Sequence, residues 1–153
     1  MAQWVWLPAI GMLFSLAAPG GSPGARAQVI GGTEAGVPLK GHVRIDLTGP
    51  DALTLRFDKE QFRIPYIKIN TLEYGQSVSR RYVEAIVFSP VLLLSKNHKH
   101  FVTLGFVDGN GRQQALVFRV EKGDIRGVLT GLEARTGRRV EYQDDEARKA
   151  GRG

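Results

Sequence analysis

The chain is 153 residues long, with net charge +6, a pI near 9.9 and no cysteine. That length suits one domain of about 100–150 residues with a leader or tail. The missing cysteine excludes a disulfide framework, a thiolate zinc site, a cysteine nucleophile and a lipid-anchored lipoprotein leader.

Residues 1–27 read as a signal peptide. Trp4 to Ala18 is apolar but interrupted by Pro8 and Gly11. It is too short to span a bilayer, which takes about 20 apolar residues. Ala25-Arg26-Ala27 is a small-x-small pattern, and cleavage is expected after Ala27. Met1-Ala2-Gln3 carries no Lys or Arg, so an uncleaved amino-terminal membrane anchor is the alternative. Export places the mature chain outside the cytoplasm, periplasmic or secreted.

Residues 28–40 are Gly-rich and predict a flexible linker. A single domain over 41–142 follows. Val43, Ile45 and Leu47 alternate with polar residues, as do Leu53, Leu55 and Phe57, with Gly49-Pro50-Asp51 turning between them. This predicts a hairpin. Phe62 and Ile64 precede Pro65, which interrupts the ladder. Tyr66 to Tyr74 reads as extended, with Ile67 and Ile69 on one face and a bulge or bend near Asn70.

Val83 to Leu94 is apolar apart from Ser89-Pro90 and reads as strands or a Pro-broken helix. Val102, Leu104 and Phe106 then alternate, Asp108-Gly109-Asn110-Gly111 turns the chain, and Leu116, Phe118 and Val120 return. The period next switches to about 3.6. Ile125, Val128, Leu129 and Leu132 form the stripe of a helix from about Lys122 to Thr136, stopped by Gly137. Asp124 falls in its first turn and Arg135 in its last, which suits the helix dipole. Val140 and Tyr142 are briefly extended. Residues 143–153 are charged and predict a disordered tail.

Strands followed by an amphipathic helix predict an α+β fold: a curled antiparallel sheet closed by one C-terminal helix. Ile64-Pro65-Tyr66-Ile67-Lys68-Ile69 looks like an Ile-Pro-x-x-x-Ile strand. With the final strand and helix, it resembles the bacterial pleckstrin-homology-like (PH-like) domains over about residues 40–137. The resemblance implies a binding module rather than a catalyst. It carries over no ligand residues, and the apolar run 85–94 departs from a simple strand of that fold.

No motif demands an enzyme. His98 and His100 flank Lys99, but the neighbouring lysines disfavour a metal, even with His42 added. The Asp108–Gly111 turn lacks the acidic ligands of a calcium loop. No Gly-x-Ser-x-Gly elbow or phosphate loop occurs. The expectation is no catalytic residue, metal or cofactor, and no nucleic-acid partner.

Two features point to an interaction surface. Arg80, Arg81, Lys96 and Lys99 bracket the apolar run 85–94, which suits either a core element or a segment on an anionic membrane surface. Gly123, Gly127 and Gly131 fall on one helix face and allow close approach of another element or subunit. The function read from the chain is an exported, non-catalytic binding module for a protein or lipid partner. The alternative is a peripheral membrane protein using 85–94 and its basic flanks.

Overall fold

The computed structural model describes residues 24–33, 37–39, 41–76, 78–79, 82, 84–88 and 100–152. The apolar leader and residues 89–94 lie outside the described residues. The strands are β1 (Ala25–Gly32), β2 (His42–Asp46), β3 (Ala52–Arg56), β4 (Gln61–Pro65), β5 (Ile69–Gly75), β6 (Val87–Phe88), β7 (Phe101–Val107), β8 (Gln113–Val120) and β9 (Glu141–Tyr142). Two helices follow β8: α1 (Ile125–Thr136) and α2 (Asp145–Arg152). The fold is α+β, with one curled sheet in the order β4-β3-β2-β1-β8-β7-β5-β9 and β6 added to β1. The pairs are antiparallel except β5 with β9.

The alternating apolar residues all point to one face. Val43 and Ile45, Leu53 and Leu55, Val102, Leu104 and Phe106, and Leu116 and Phe118 form one core. The stripe of α1, made of Ile125, Val128, Leu129 and Leu132, joins the same core. Each such side chain contributes about 1.5–3 kcal/mol on burial. A smaller cluster forms on the opposite face, where Tyr82 and Ile86 pack with Ile30, Ala115 and Val117. Burial on both faces explains why Val102 to Phe106 are all buried.

Turn chemistry follows the residues. The Asp108 carboxylate accepts from the backbone N–H groups of Asn110 (2.8 Å) and Arg112 (2.9 Å). Gly111 alone in that turn takes a left-handed φ, +79°. Gly137 ends α1 at φ +68°, as its position predicts. The register of β5 on β7 shifts between Ile69 and Thr71, at the bend expected near Asn70.

Five local expectations are corrected. Gln28 to Gly32 belong to β1, not to a flexible linker. Gly32 serves close packing: a Cβ there would meet Leu116 Cδ2 at 2.5 Å. Tyr66 to Lys68 form a 3-10 helix rather than extended chain. That turn buries Tyr66 and leaves Ile67 89% exposed, so Ile67 and Ile69 do not share a face.

The main helix begins at Ile125, with Asp124 as its cap residue. The Asp124 carboxylate is drawn away to accept from the Arg26 backbone N–H at 3.0 Å. Part of the uncertain apolar run is resolved as Val87–Phe88, paired with Gly31 and Gly32 of β1.

Residues 145–152 form α2 instead of a disordered tail. Its end is capped by Asp144, whose carboxylate accepts from the Ala147 N–H at 2.6 Å. Ala147 is fully buried, and the Arg152 guanidinium lies 5.2 Å from the Tyr142 ring centroid. Composition could not show these contacts, because the anchors of α2 are two small residues and a distant ring.

Candidate functional site: a cationic pocket at the head of α1

A cavity of about 670 Å³ opens where β8 ends and α1 begins. That volume lies within the usual range for small-molecule sites, about 300–1,000 Å³. Its floor and walls are Tyr74 of β5, Val120 of β8, Ile125 of α1 and Ala150 of α2. Its polar lining is His100, Arg119, Lys122, Arg126 and Glu146.

The charges are unevenly matched. Arg119 donates through Nη2 to the neutral Gln28 side chain at 2.5 Å. Lys122 and Arg126 make no ion pair among the described residues. The one carboxylate in the lining, Glu146, accepts from Gln76 Nε2 at 2.8 Å. The first turn of α1 adds the positive end of a helix dipole. The pocket therefore favours a negatively charged group.

The lining also carries an aromatic pair, Tyr74 and His100. His100 stacks on Tyr74, with ring centroids 5.3 Å apart and planes 28° apart. Tyr142 meets Tyr74 edge-on at 6.2 Å. Burial pushes the Tyr74 phenol above its ordinary pKa, and Asp144 and Tyr142 add to the rise. Tyr74 thus stays a neutral phenol at physiological pH. His100 Nδ1 is buried and has no hydrogen-bond partner among the described residues.

The neighbouring sheet face is also rich in arginine but differs electrically. Arg26, Arg44 and Arg56 stand in register across β1, β2 and β3. Arg26 pairs with Glu121 at 2.8 Å, and Arg56 pairs with the buried Asp46 at 2.8 Å. The Thr48 hydroxyl, together with its N–H and Arg56, holds the Asp46 carboxyl below its ordinary pKa despite burial. Arg26 and Arg56 are therefore already matched within the fold.

The residues singled out in the sequence separate. Arg80, Arg81, Lys96 and Lys99 lie outside the described residues, as does His98. Gly123 lines the pocket. Gly127 faces open space, and Gly131 meets Leu47. His42 lies on β2, away from the pocket's lining. Sequence reasoning missed Tyr74, Arg119, Lys122, Arg126 and Glu146 as one site. Nothing local marks them, because they come from separate elements that only the fold joins.

Among the described residues, no group of three or more His, Cys, Asp or Glu side chains is placed to hold a metal. Among them, too, no helix is long and apolar enough to cross a membrane. No protein-family model matches the chain, and no curated protein matches its sequence.

Proposed function

We propose that this chain is an exported, non-catalytic binding module of PH-like build, which takes an anionic ligand with an apolar body at the head of α1. The observation that carries this reading is the charge mismatch in the pocket. Arg119, Lys122 and Arg126 face a cavity whose lone carboxylate is engaged by Gln76. A ligand anion supplies the missing partner through charge-assisted hydrogen bonds. Tyr74, Val120, Ile125 and Ala150 offer apolar contact to the rest of the ligand. The PH-like build is supported by the antiparallel strands followed by α1, and export by the apolar leader.

Phenyl phosphate is a suitable probe, because it joins an anion to an apolar ring. Calorimetry at low salt should detect its binding, weakened by added salt. Lys122→Glu with Arg126→Glu should lower affinity by about tenfold or more, a loss of about 1.4 kcal/mol. Benzyl alcohol, with the ring but no charge, should not bind measurably. A wild-type chain that ignores phenyl phosphate overturns the reading.

A second reading, contact with a lipid surface, draws on a different observation. Val87 is 63% exposed although it sits in the apolar run, and Ala85 beside it is exposed too. Flotation with phosphatidylglycerol vesicles, but not with phosphatidylcholine vesicles, would favour a headgroup over a free anion. Val87→Asp should then abolish flotation while leaving phenyl phosphate binding intact.

A further inference from the structure

The curled sheet is open at β4, which ends the strand order. Among the described residues, no strand pairs with its outer edge. The register shows which backbone groups are free there. The Tyr66 N–H donates to the Asp51 carbonyl at 2.9 Å, and the Phe57 N–H to the Glu60 carbonyl at 2.8 Å. These two contacts continue the β3–β4 ladder at both ends, in phase with Leu53↔Ile64 and Leu55↔Phe62. Bonded pairs alternate with unbonded ones along an antiparallel ladder. Phe62 and Ile64 therefore turn their backbone groups to β3, and Gln61, Arg63 and Pro65 turn theirs outward. The free edge presents two N–H donors, on Gln61 and Arg63, and three carbonyls, on Gln61, Arg63 and Pro65. All three residues are exposed.

A groove of about 250 Å³ is lined by four successive residues of β4, 62–65, with Lys68. Its other bank is residues 106–109, at the end of β7. That volume falls below the usual range of small-molecule sites, about 300–1,000 Å³. Phe62, Ile64, Phe106 and Val107 give it apolar lining, and Ile67, beside Lys68, is 89% exposed. Its unmatched charge is positive. Arg63 and Lys68 make no ion pair among the described residues. The carboxylate in the lining, Asp108, already accepts from Arg112 Nε at 3.1 Å and Gln114 Nε2 at 2.8 Å. Asp58 and Glu60 lie at the other end of β4, in the turn that leads into it.

We infer that the β4 edge takes an extended peptide segment of a partner protein, alternating acidic with apolar side chains, as an added strand. Successive side chains of a strand face opposite ways. Acidic side chains on the outer face then meet Arg63, and apolar ones on the inner face meet Phe62 and Ile64. The main chain of the segment bonds the free groups of Gln61 and Arg63. Pro65 has no N–H and ends the ladder, so the contact covers about five residues, roughly 17 Å. A second copy of this chain suits the edge poorly. Two-fold pairing along all of β4 would set Arg63 opposite Arg63, and like charges directly opposite are destabilising. The groove shares no lining residue with the pocket at the head of α1.

The test uses the full chain labelled with nitrogen-15 and a capped probe peptide, acetyl-Glu-Val-Glu-Val-Glu-Val-amide. The amide signals of Gln61 and Arg63 should shift and exchange more slowly with the peptide bound. The same peptide with alternate amides N-methylated should not bind. Arg63→Glu should weaken the acidic peptide by about tenfold or more and admit its Lys-for-Glu counterpart. Lys68→Glu, also at an exposed site, should act in the same direction. Gln61 and Arg63 amides that ignore the peptide in wild type overturn the inference. Equal binding of the N-methylated peptide does so too, as do shifts centred on Lys122 and Arg126 that phenyl phosphate reverses. A wild-type dimer whose β4 amides are protected without peptide would give the edge to a second copy and equally overturn it. Failure of phenyl phosphate to bind at α1 leaves this inference standing.

Discussion

Leu47 closes over Gly131: its Cδ1 stands 2.7 Å from the point that a Cβ on that glycine would occupy. The contact joins the loop after β2 to the middle of α1. Gly127, one turn earlier on the helix, has no atom within 4 Å of its would-be Cβ. The two glycines should therefore answer differently to the same substitution. Gly127→Ala should stabilise by about 0.5–1 kcal/mol through helix propensity alone. Gly131→Ala should gain less or lose, since Leu47 must turn aside. Paired thermal melts decide it, and equal shifts would mean that Leu47 does not rest there.

The core stripe of α1 gives a larger effect. Leu129 is 2% exposed and packs in the main core, whereas Thr130 is exposed. Leu129→Ala should cost about 2–5 kcal/mol through lost burial and a cavity. Thr130→Ala should change stability by less than about 0.5 kcal/mol. Urea unfolding of both variants checks the helix register.

Gly105 of β7 sits under the segment that covers the second face of the sheet. A Cβ there would stand 2.6 Å from the Tyr82 hydroxyl and 2.9 Å from Thr71 Cβ. Gly105→Ala should destabilise by about 1–3 kcal/mol through overpacking. Near-ultraviolet circular dichroism should show the accompanying change around Tyr82. An unchanged spectrum and melt would remove Tyr82 from that face.

Acid stability should report on the β7–β8 turn. The Arg112 backbone N–H, helped by the Gln114 side chain and the Asn110 N–H, holds the Asp108 carboxyl down at about 2, against an ordinary 3.8. A carboxyl whose native pKa is depressed stabilises the fold above its unfolded value, and this contribution fades as pH falls toward the native value. The loss should therefore run from about pH 4 down to about pH 2. Asp46, also lowered, adds to it in the same direction. Asp108→Asn should melt lower at neutral pH and lose less on acidification. Parallel acid dependences in variant and wild type would contradict the assignment.

Much of the architecture was legible in the residues because alternation is a local signal. Val43 and Ile45, Leu53 and Leu55, Val102 to Phe106 and Leu116 to Val120 each declare a strand and its buried face without knowledge of their neighbours. The stripe from Ile125 to Leu132 does the same for α1, and Gly137 for its stop. Glycine and charge are ambiguous in a way that alternation is not. Gly31 and Gly32 look like flexible chain, but they are a strand pressed on β8. Asp145 to Arg152 looks like a solvated tail, yet it folds as a helix held by Ala147 and Gly151.

The sequence by itself determined β2, β3, β7 and β8, the main helix and the face each one buries. Those choices depend on side chains two, three or four positions apart. Only the tertiary structure decided what lies beside what. It set β1 against both β2 and β8, and it drew Tyr74, His100, Arg119, Lys122, Arg126 and Glu146 around one cavity. Whether an arginine meets a carboxylate, as Arg56 does, or faces a pocket, as Arg119 does, depends on the strand that happens to lie next to it. That neighbour is fixed by long-range pairing, which no short window of residues encodes.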